Sequence, residues 1–197
     1  MAQVQVSVKC AACRFQREDG CLSGVGPLKP KLMIVTDLPA REDFTKNTVM
    51  QGKLGMMQRQ VVHSILKLDH EKDVYYTYAI KGETKGETVE GKEIQACKNW
   101  LLKEIYAVQP EYILLAGNTA RQMLLGNEYP MAEYRGKLIE NPIHGWKIFL
   151  TWSAGYVERY SSFILINKKP ARECKTGSVP WFYVKDMRKL HDIIHGG

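Results

Sequence analysis

The sequence predicts an α/β protein: a three-layer α/β/α arrangement around a central four-stranded parallel sheet. Two observations predict it. Short apolar runs rich in β-branched and aromatic residues recur along the chain, and segments with apolar residues at three- and four-residue spacing separate them. Strands alternating with helices imply parallel pairing through crossovers and a sheet covered on both faces.

Taken in order, Lys31 to Thr36 (KLMIVT) reads as a buried strand running into the loop Asp37-Leu38-Pro39-Ala40. Gly55 to Leu68 is a helical pattern. Val74 to Ile80 (VYYTYAI) is the second strand, and the polar, Gly-rich stretch Lys81 to Gly91 (KGETKGETVEG) after it is an exposed loop. Glu93 to Val108 places Ile94, Cys97, Leu101, Ile105 and Val108 on one helical face. Glu111 to Gly117 (EYILLAG) and Lys147 to Thr151 (KIFLT) supply the remaining strands, with a short helix at Thr119 to Leu125 between them. Lys168 to Pro180 reads as a loop, and Trp181 to Ile194 as a final amphipathic segment in which Trp181-Phe182-Tyr183 packs the core. In such sheets ligands sit beyond the carboxyl ends of the strands. Those ends carry Asp37, Tyr78 to Lys81, Gly117-Asn118 and Trp152-Ser153.

A length of 197 residues with 45% hydrophobic content fits one domain, 1–197, with a cysteine-containing segment at 1–30 and a basic one at 168–197. The N-terminus has neither the charged start nor the apolar middle of a signal peptide, and no apolar run reaches membrane-spanning length. A soluble, cytoplasmic protein without a membrane partner is expected, nucleoid-associated or, for a viral chain, in the host cytoplasm. Twenty-eight Lys plus Arg against 21 Asp plus Glu give a net charge of +7. Excess positive charge favours a polyanion partner through counterion release, although charge alone does not separate this from a solvated surface.

Five cysteines, Cys10, Cys13, Cys21, Cys97 and Cys174, do not suggest a disulfide framework. The Cys10-x2-Cys13 spacing lets two thiolates reach one metal from a tight turn. The five histidines show no ligand spacing with these cysteines.

In order, these pieces resemble the family 4, iron-sulfur type of uracil-DNA glycosylase over nearly the whole chain. Cys10-x2-Cys13 stands where that family has its first two cluster ligands. LMIVTDLPA resembles its strand followed by Gly-Glu-Ala-Pro-Gly; Val49-Met50 stands at its Pro-Phe, and Gly52 and Gly55 fit its Gly-x-x-Gly pattern. Glu93-Ile94-Gln95-Ala96-Cys97 matches its Glu-Ile-x-x-Cys helix, Gln109 to Gly117 its next strand, and Thr151 to Arg159 its Thr-x-His-Pro-Ser-Tyr segment.

The resemblance implies a base pocket of Asp37, Met50, Tyr78 and Ser153, all four departing from the family pattern. Asp37 keeps an acid at the position linked to water activation, one methylene shorter. Met50 replaces the ring that stacks on the extruded base. Tyr78 replaces the asparagine that reads the uracil edge; a phenol cannot copy an amide's donor and acceptor, and its ring is expected to fill the pocket. Ser153-Ala154 replaces His-Pro, removing the imidazole that stabilises the leaving base. Losing such transition-state donors costs about 10²- to 10³-fold each. If the protein is active, Asp37 and Ser153 are the catalytic candidates.

Tyr156, Arg159, Lys168, Lys169 and Arg172 are the candidate DNA contacts, with Lys175 as a further phosphate contact. The family's third cluster ligand falls at Gly82. That leaves Cys10, Cys13, Cys21 and Cys97 as a candidate iron-sulfur or zinc site, the alternative being that Cys97 is a small apolar face residue. Three functions follow from the resemblance and its departures. The leading one is a DNA-binding replication or repair accessory lacking normal uracil excision, with a polymerase or another replication or repair protein as partner. The second is an active glycosylase for a modified or damaged base, and the third a structural protein-binding subunit.

Overall fold

The computed structural model describes residues 13–15, 20–141, 144–160 and 175–196. Five strands form one sheet in the order β2-β1-β3-β5-β4: β1 (Leu32–Thr36), β2 (Val74–Tyr78), β3 (Tyr112–Ala116), β4 (Leu138–Glu140) and β5 (Lys147–Thr151). β1 pairs in parallel with both β2 and β3, and β3 pairs in parallel with β5. These are the four expected strands. The fifth, β4, was not expected: its three residues run antiparallel to β5 and close that edge. Its exposed-buried-exposed pattern carries one buried residue, Ile139, too short a run to register as a strand.

The alternation of side chains along each strand separates two apolar layers. Leu32, Ile34, Tyr76, Leu114 and Phe149 face α2 (Lys53–Ser64), α6 (Ala154–Tyr160) and α7 (Val179–His195), where they meet Val61, Val157 and Met187. Met33, Val35, Ile113, Leu115 and Ile148 face α3 (Gly91–Val108) and α4 (Asn118–Leu125), where they meet Leu101, Ile105 and Met123. The result is the expected three-layer α/β/α architecture. Two short helices, α1 (Arg41–Thr45) and α5 (Met131–Tyr134), complete the described elements. At the β2 edge, Val25 and Tyr76 exchange two backbone hydrogen bonds of 2.9 Å, so the segment before β1 covers strand groups that would otherwise stay unpaired. Among the described residues no helix is long and apolar enough to cross a membrane.

Candidate nucleotide-binding cavity

At the carboxyl ends of β1, β2 and β5 lies a cavity of about 450 Å³, within the range of small-molecule sites. Asp37, Met50, Tyr78, Ser153, Tyr156 and Arg159, all singled out from sequence, line it together. Each reaches it from the end of an element: Asp37 one residue beyond β1, Tyr78 as the last residue of β2, and Ser153 just before α6.

Asp37 is half-buried, and its Oδ1 accepts the Ala120 backbone N–H at 3.0 Å. Burial pushes its carboxyl above the ordinary carboxylate value, while the backbone N–H groups of Ala120, Thr119 and Asn118 pull the other way. These donors are the first turn of α4, so the carboxylate sits where helix N–H groups have no partner of their own. Gly117 makes the approach feasible: it turns with φ +127°, and a Cβ there would fall 2.1 Å from Asp37 Oδ2. Ser153 has an equivalent role at α6, where its Oγ accepts the Tyr156 N–H at 3.2 Å and its carbonyl accepts the N–H groups of Tyr156 and Val157.

Tyr78 does not fill the cavity. Its ring forms part of the wall, because its O–H donates to Asp43 Oδ2 at 2.6 Å and its oxygen accepts the Met50 N–H at 3.2 Å. Burial, reinforced by the Asp43 hydrogen bond, raises the phenol further above its ordinary pKa, so it stays protonated and donating. Asp43 is fully buried and also accepts the N–H groups of Ala40 at 2.7 Å and Gln51 at 2.6 Å. The network holds Met50 at φ +61°, a left-handed conformation uncommon outside glycine. Gly55 gives the Met50 backbone room, since a Cβ there would come within 2.4 Å of it. Asp43 was missed in the sequence; its partner Tyr78 lies 35 residues away, and no local pattern joins them.

A second missed residue is Gln58, which lines the cavity from the buried face of α2 and whose Oε1 accepts the Tyr183 O–H at 3.3 Å. Its signal was a polar residue three positions after Gly55 and three before Val61, in register with the apolar stripe.

At the cavity's α6 side, Trp152, Tyr156 and Tyr160 form a row four residues apart, with ring centroids 5.3 and 5.1 Å from one to the next. The Arg159 guanidinium lies 5.6 Å over Tyr156, and Tyr160 is exposed. Trp152 is braced by Arg135, which sits 4.5 Å from it and 4.4 Å from Phe182 and pairs with both oxygens of buried Asp186 at 2.8 and 2.7 Å. Such a row offers stacking faces to unpaired bases with a cation beside them. Of the other predicted DNA contacts, Lys175 is exposed, and Lys168, Lys169 and Arg172 lie outside the described residues.

The candidate metal residues behave differently. Cys10 lies outside the described residues. Cys97 is buried on α3, and Cys13 packs against the same apolar layer. Among the described residues no group of three or more His, Cys, Asp or Glu side chains is placed to hold a metal, and the expected four-cysteine site includes Cys10, which lies outside them. At Gly82, the family's third ligand position, a Cβ would lie 2.3 Å from the Phe15 carbonyl oxygen. The backbone of the cysteine-bearing segment thus occupies the space a ligand side chain would need.

Comparison with known proteins places this geometry in a family. Residues 23–190 match the model of the uracil DNA glycosylase superfamily. The chain belongs to that superfamily, and the expected likeness to its type-4 branch holds. It is 25% identical over 153 residues to the type-4 uracil-DNA glycosylase of Saccharolobus solfataricus, covering 75% of this chain and 69% of that one. It is 26% identical over 160 residues to the Thermotoga maritima type-4 enzyme, covering 78% and 80%. It is also 29% identical over 176 residues to a DNA polymerase of Bacillus phage SP01; the match covers 89% of this chain and only 17% of the polymerase.

Proposed function

We propose that this chain is a DNA-binding protein that keeps the glycosylase cavity but lacks normal uracil excision, and that it serves as an accessory in replication or repair. The observation that carries the reading is the make-up of the cavity wall. Among the described residues no histidine lines it, Met50 stands where the family has its stacking ring, and the Tyr78 phenol is committed to Asp43 and the Met50 N–H. A leaving base needs a donor placed for its developing charge, and an extruded base needs a flat face to stack on. The net charge of +7 and the Trp152-Tyr156-Tyr160 row with Arg159 support contact with a nucleic acid strand. The similarity to part of a phage DNA polymerase supports a polymerase or another replication or repair protein as partner.

The open cavity of about 450 Å³ favours one second reading, an active glycosylase for a modified base with Asp37 as its acid. Both readings meet in one experiment: binding and base release on single-stranded and duplex oligonucleotides carrying uracil or a panel of damaged bases, with an active type-4 enzyme as control. Retention at low salt without release is the expected outcome. Release of a damaged base, abolished by Asp37→Asn, would establish the second reading. Absence of any DNA affinity would overturn both and leave a protein-binding role.

A further inference from the structure

A second, smaller cavity of about 190 Å³ lies beside the first. Val49 and Arg59 line it, each next in sequence to a residue of the larger cavity, Met50 and Gln58, so the turn before α2 and α2 itself divide the two. Tyr76 of β2 and the Val25-Gly26 segment that covers the β2 edge close it from the sheet side. Gly26 makes that closure possible, because a Cβ there would fall 2.5 Å from Tyr75 Cα. The volume is below the roughly 300 Å³ at which pockets begin to take drug-sized ligands, so its occupant is a small group.

The polar side chains of this cavity are donors in want of an acceptor. Arg59 is half-buried, and among the described residues its guanidinium has no carboxylate partner. Its one hydrogen bond there runs from Nη2 to the Val49 carbonyl at 3.3 Å, which leaves Nε and Nη1 unused. Tyr76 is 5% exposed, and its hydroxyl is also without a partner among the described residues. Burial raises the phenol above its ordinary pKa while the Arg59 charge pulls it back, so the hydroxyl stays protonated and lies within the field of the guanidinium. Glu71, the one carboxylate lining the cavity, is exposed and does not pair with Arg59. A half-buried cation beside an unused buried hydroxyl is unfavourable until an anion joins them.

We infer that this cavity binds a phosphate group, whose oxygens accept from the Arg59 guanidinium and the Tyr76 hydroxyl. A guanidinium presents a planar fork of donors that matches phosphate oxygens, and a protonated phenol adds a donor beside it. The arginine charge excludes a metal cation, and the volume excludes a base. Free phosphate and the 5′-phosphate at the end of a DNA strand offer the same oxygens to these donors. The site is separate from the cavity at the strand ends and does not rest on the DNA-binding reading. Because Arg59 also donates to the Val49 carbonyl, a bound phosphate steadies the turn that leads into Met50.

The test titrates the full chain with inorganic phosphate by calorimetry, at an ionic strength held constant with chloride, while NMR follows the Arg59 Nε–H signal. Saturable binding that moves this signal is the expected result. Arg59→Met keeps an unbranched stem without the charge and weakens binding by about 10- to 100-fold, the value of a charge-assisted hydrogen bond. Tyr76→Phe keeps the ring and weakens it by about fivefold, so the test survives if the first variant fails to fold. Absence of saturable binding, binding that leaves the Arg59 signal in place, or binding unchanged in both variants would overturn the inference and leave these donors to water. Oligonucleotides with and without a 5′-phosphate then separate the two sources. A gain in affinity from the 5′-phosphate that Arg59→Met removes assigns the strand end, and equal affinities beside phosphate binding assign the free anion.

Discussion

Two buried polar networks flank β2, and they differ in what they leave unfinished. On the α3 side, Glu104 accepts from Gly24 N at 2.8 Å, Thr77 Oγ1 at 2.7 Å and Lys81 Nζ at 2.5 Å, with Lys81 and Glu104 both fully buried. Lys81 also donates to Thr77. On the α2 side, Asp43, Tyr78 and Met50 form an equally dense set, but it borders a cavity and the unused amide of Gln58. The first network ties α3 and the segment around Gly24 to the sheet, with the buried Tyr75 hydroxyl beside it left without a partner among the described residues. The second shapes a wall. A buried charge pair is a structural device when it is closed, and the same density beside a cavity points to a ligand.

The largest effect should come from opening the closed network. Glu104→Ala leaves the Lys81 ammonium buried with no counter-charge and should cost about 3–5 kcal/mol, read as a lowered urea midpoint. A loss below about 1 kcal/mol would mean that water reaches Lys81 and that the two networks are less different than they look. The cavity wall should respond less. Tyr78→Phe removes one donor from Asp43 and one acceptor from Met50 N, a cost of about 1–3 kcal/mol. Because Met50 then loses what holds its left-handed backbone, the variant should also weaken ligand binding. An unchanged affinity would detach the wall from the function.

The contrast explains what could be read from the sequence. The parallel strands announced themselves, since β1, β2, β3 and β5 are almost wholly buried and read as continuous apolar runs. β4 and α1 did not: three and five residues are too few for a period to show. The cavity residues at strand ends, Asp37, Tyr78 and Ser153, were legible because the carboxyl end of a parallel strand is where such folds place ligands. Their partners were not, because Asp43 meets Tyr78 and Gln58 meets Tyr183 across 35 and 125 residues. Cysteine spacing likewise announced a metal site whose four members include Cys10, outside the described residues. Spacing within a chain says nothing of the Phe15 carbonyl that crowds Gly82.

A smaller effect concerns pH. Asp37 titrates above its ordinary value of 3.8 because burial outweighs its backbone hydrogen bonds. Its folded form therefore holds a proton that the unfolded chain has released. The stabilisation is fully present below the unfolded value and is lost as pH rises through the folded one. Asp37→Asn should flatten the fall in urea midpoint over the window that begins near pH 3.8. A wild type and variant with parallel pH profiles would show that solvent reaches Asp37 freely and that the α4 N–H groups set its ionisation.

The smallest effect tests whether the helices around the cavity are braced from outside. Lys53 on α2 and Glu158 on α6 pair at 2.5 Å over the cavity's rim, with the lysine side chain 55% exposed. An exposed pair gains little in high dielectric and holds two long side chains still, so Lys53→Ala should change stability by about 0.2–1 kcal/mol, less as salt is added. Cavity affinity for a nucleoside should stay the same, because the buried contacts of Val61 and Val157 with the sheet already set the positions of α2 and α6. A clear, salt-sensitive fall in affinity would instead make the ion pair a clasp across the mouth. The cavity's openness would then depend on surface charge as well as on the packed wall beneath it.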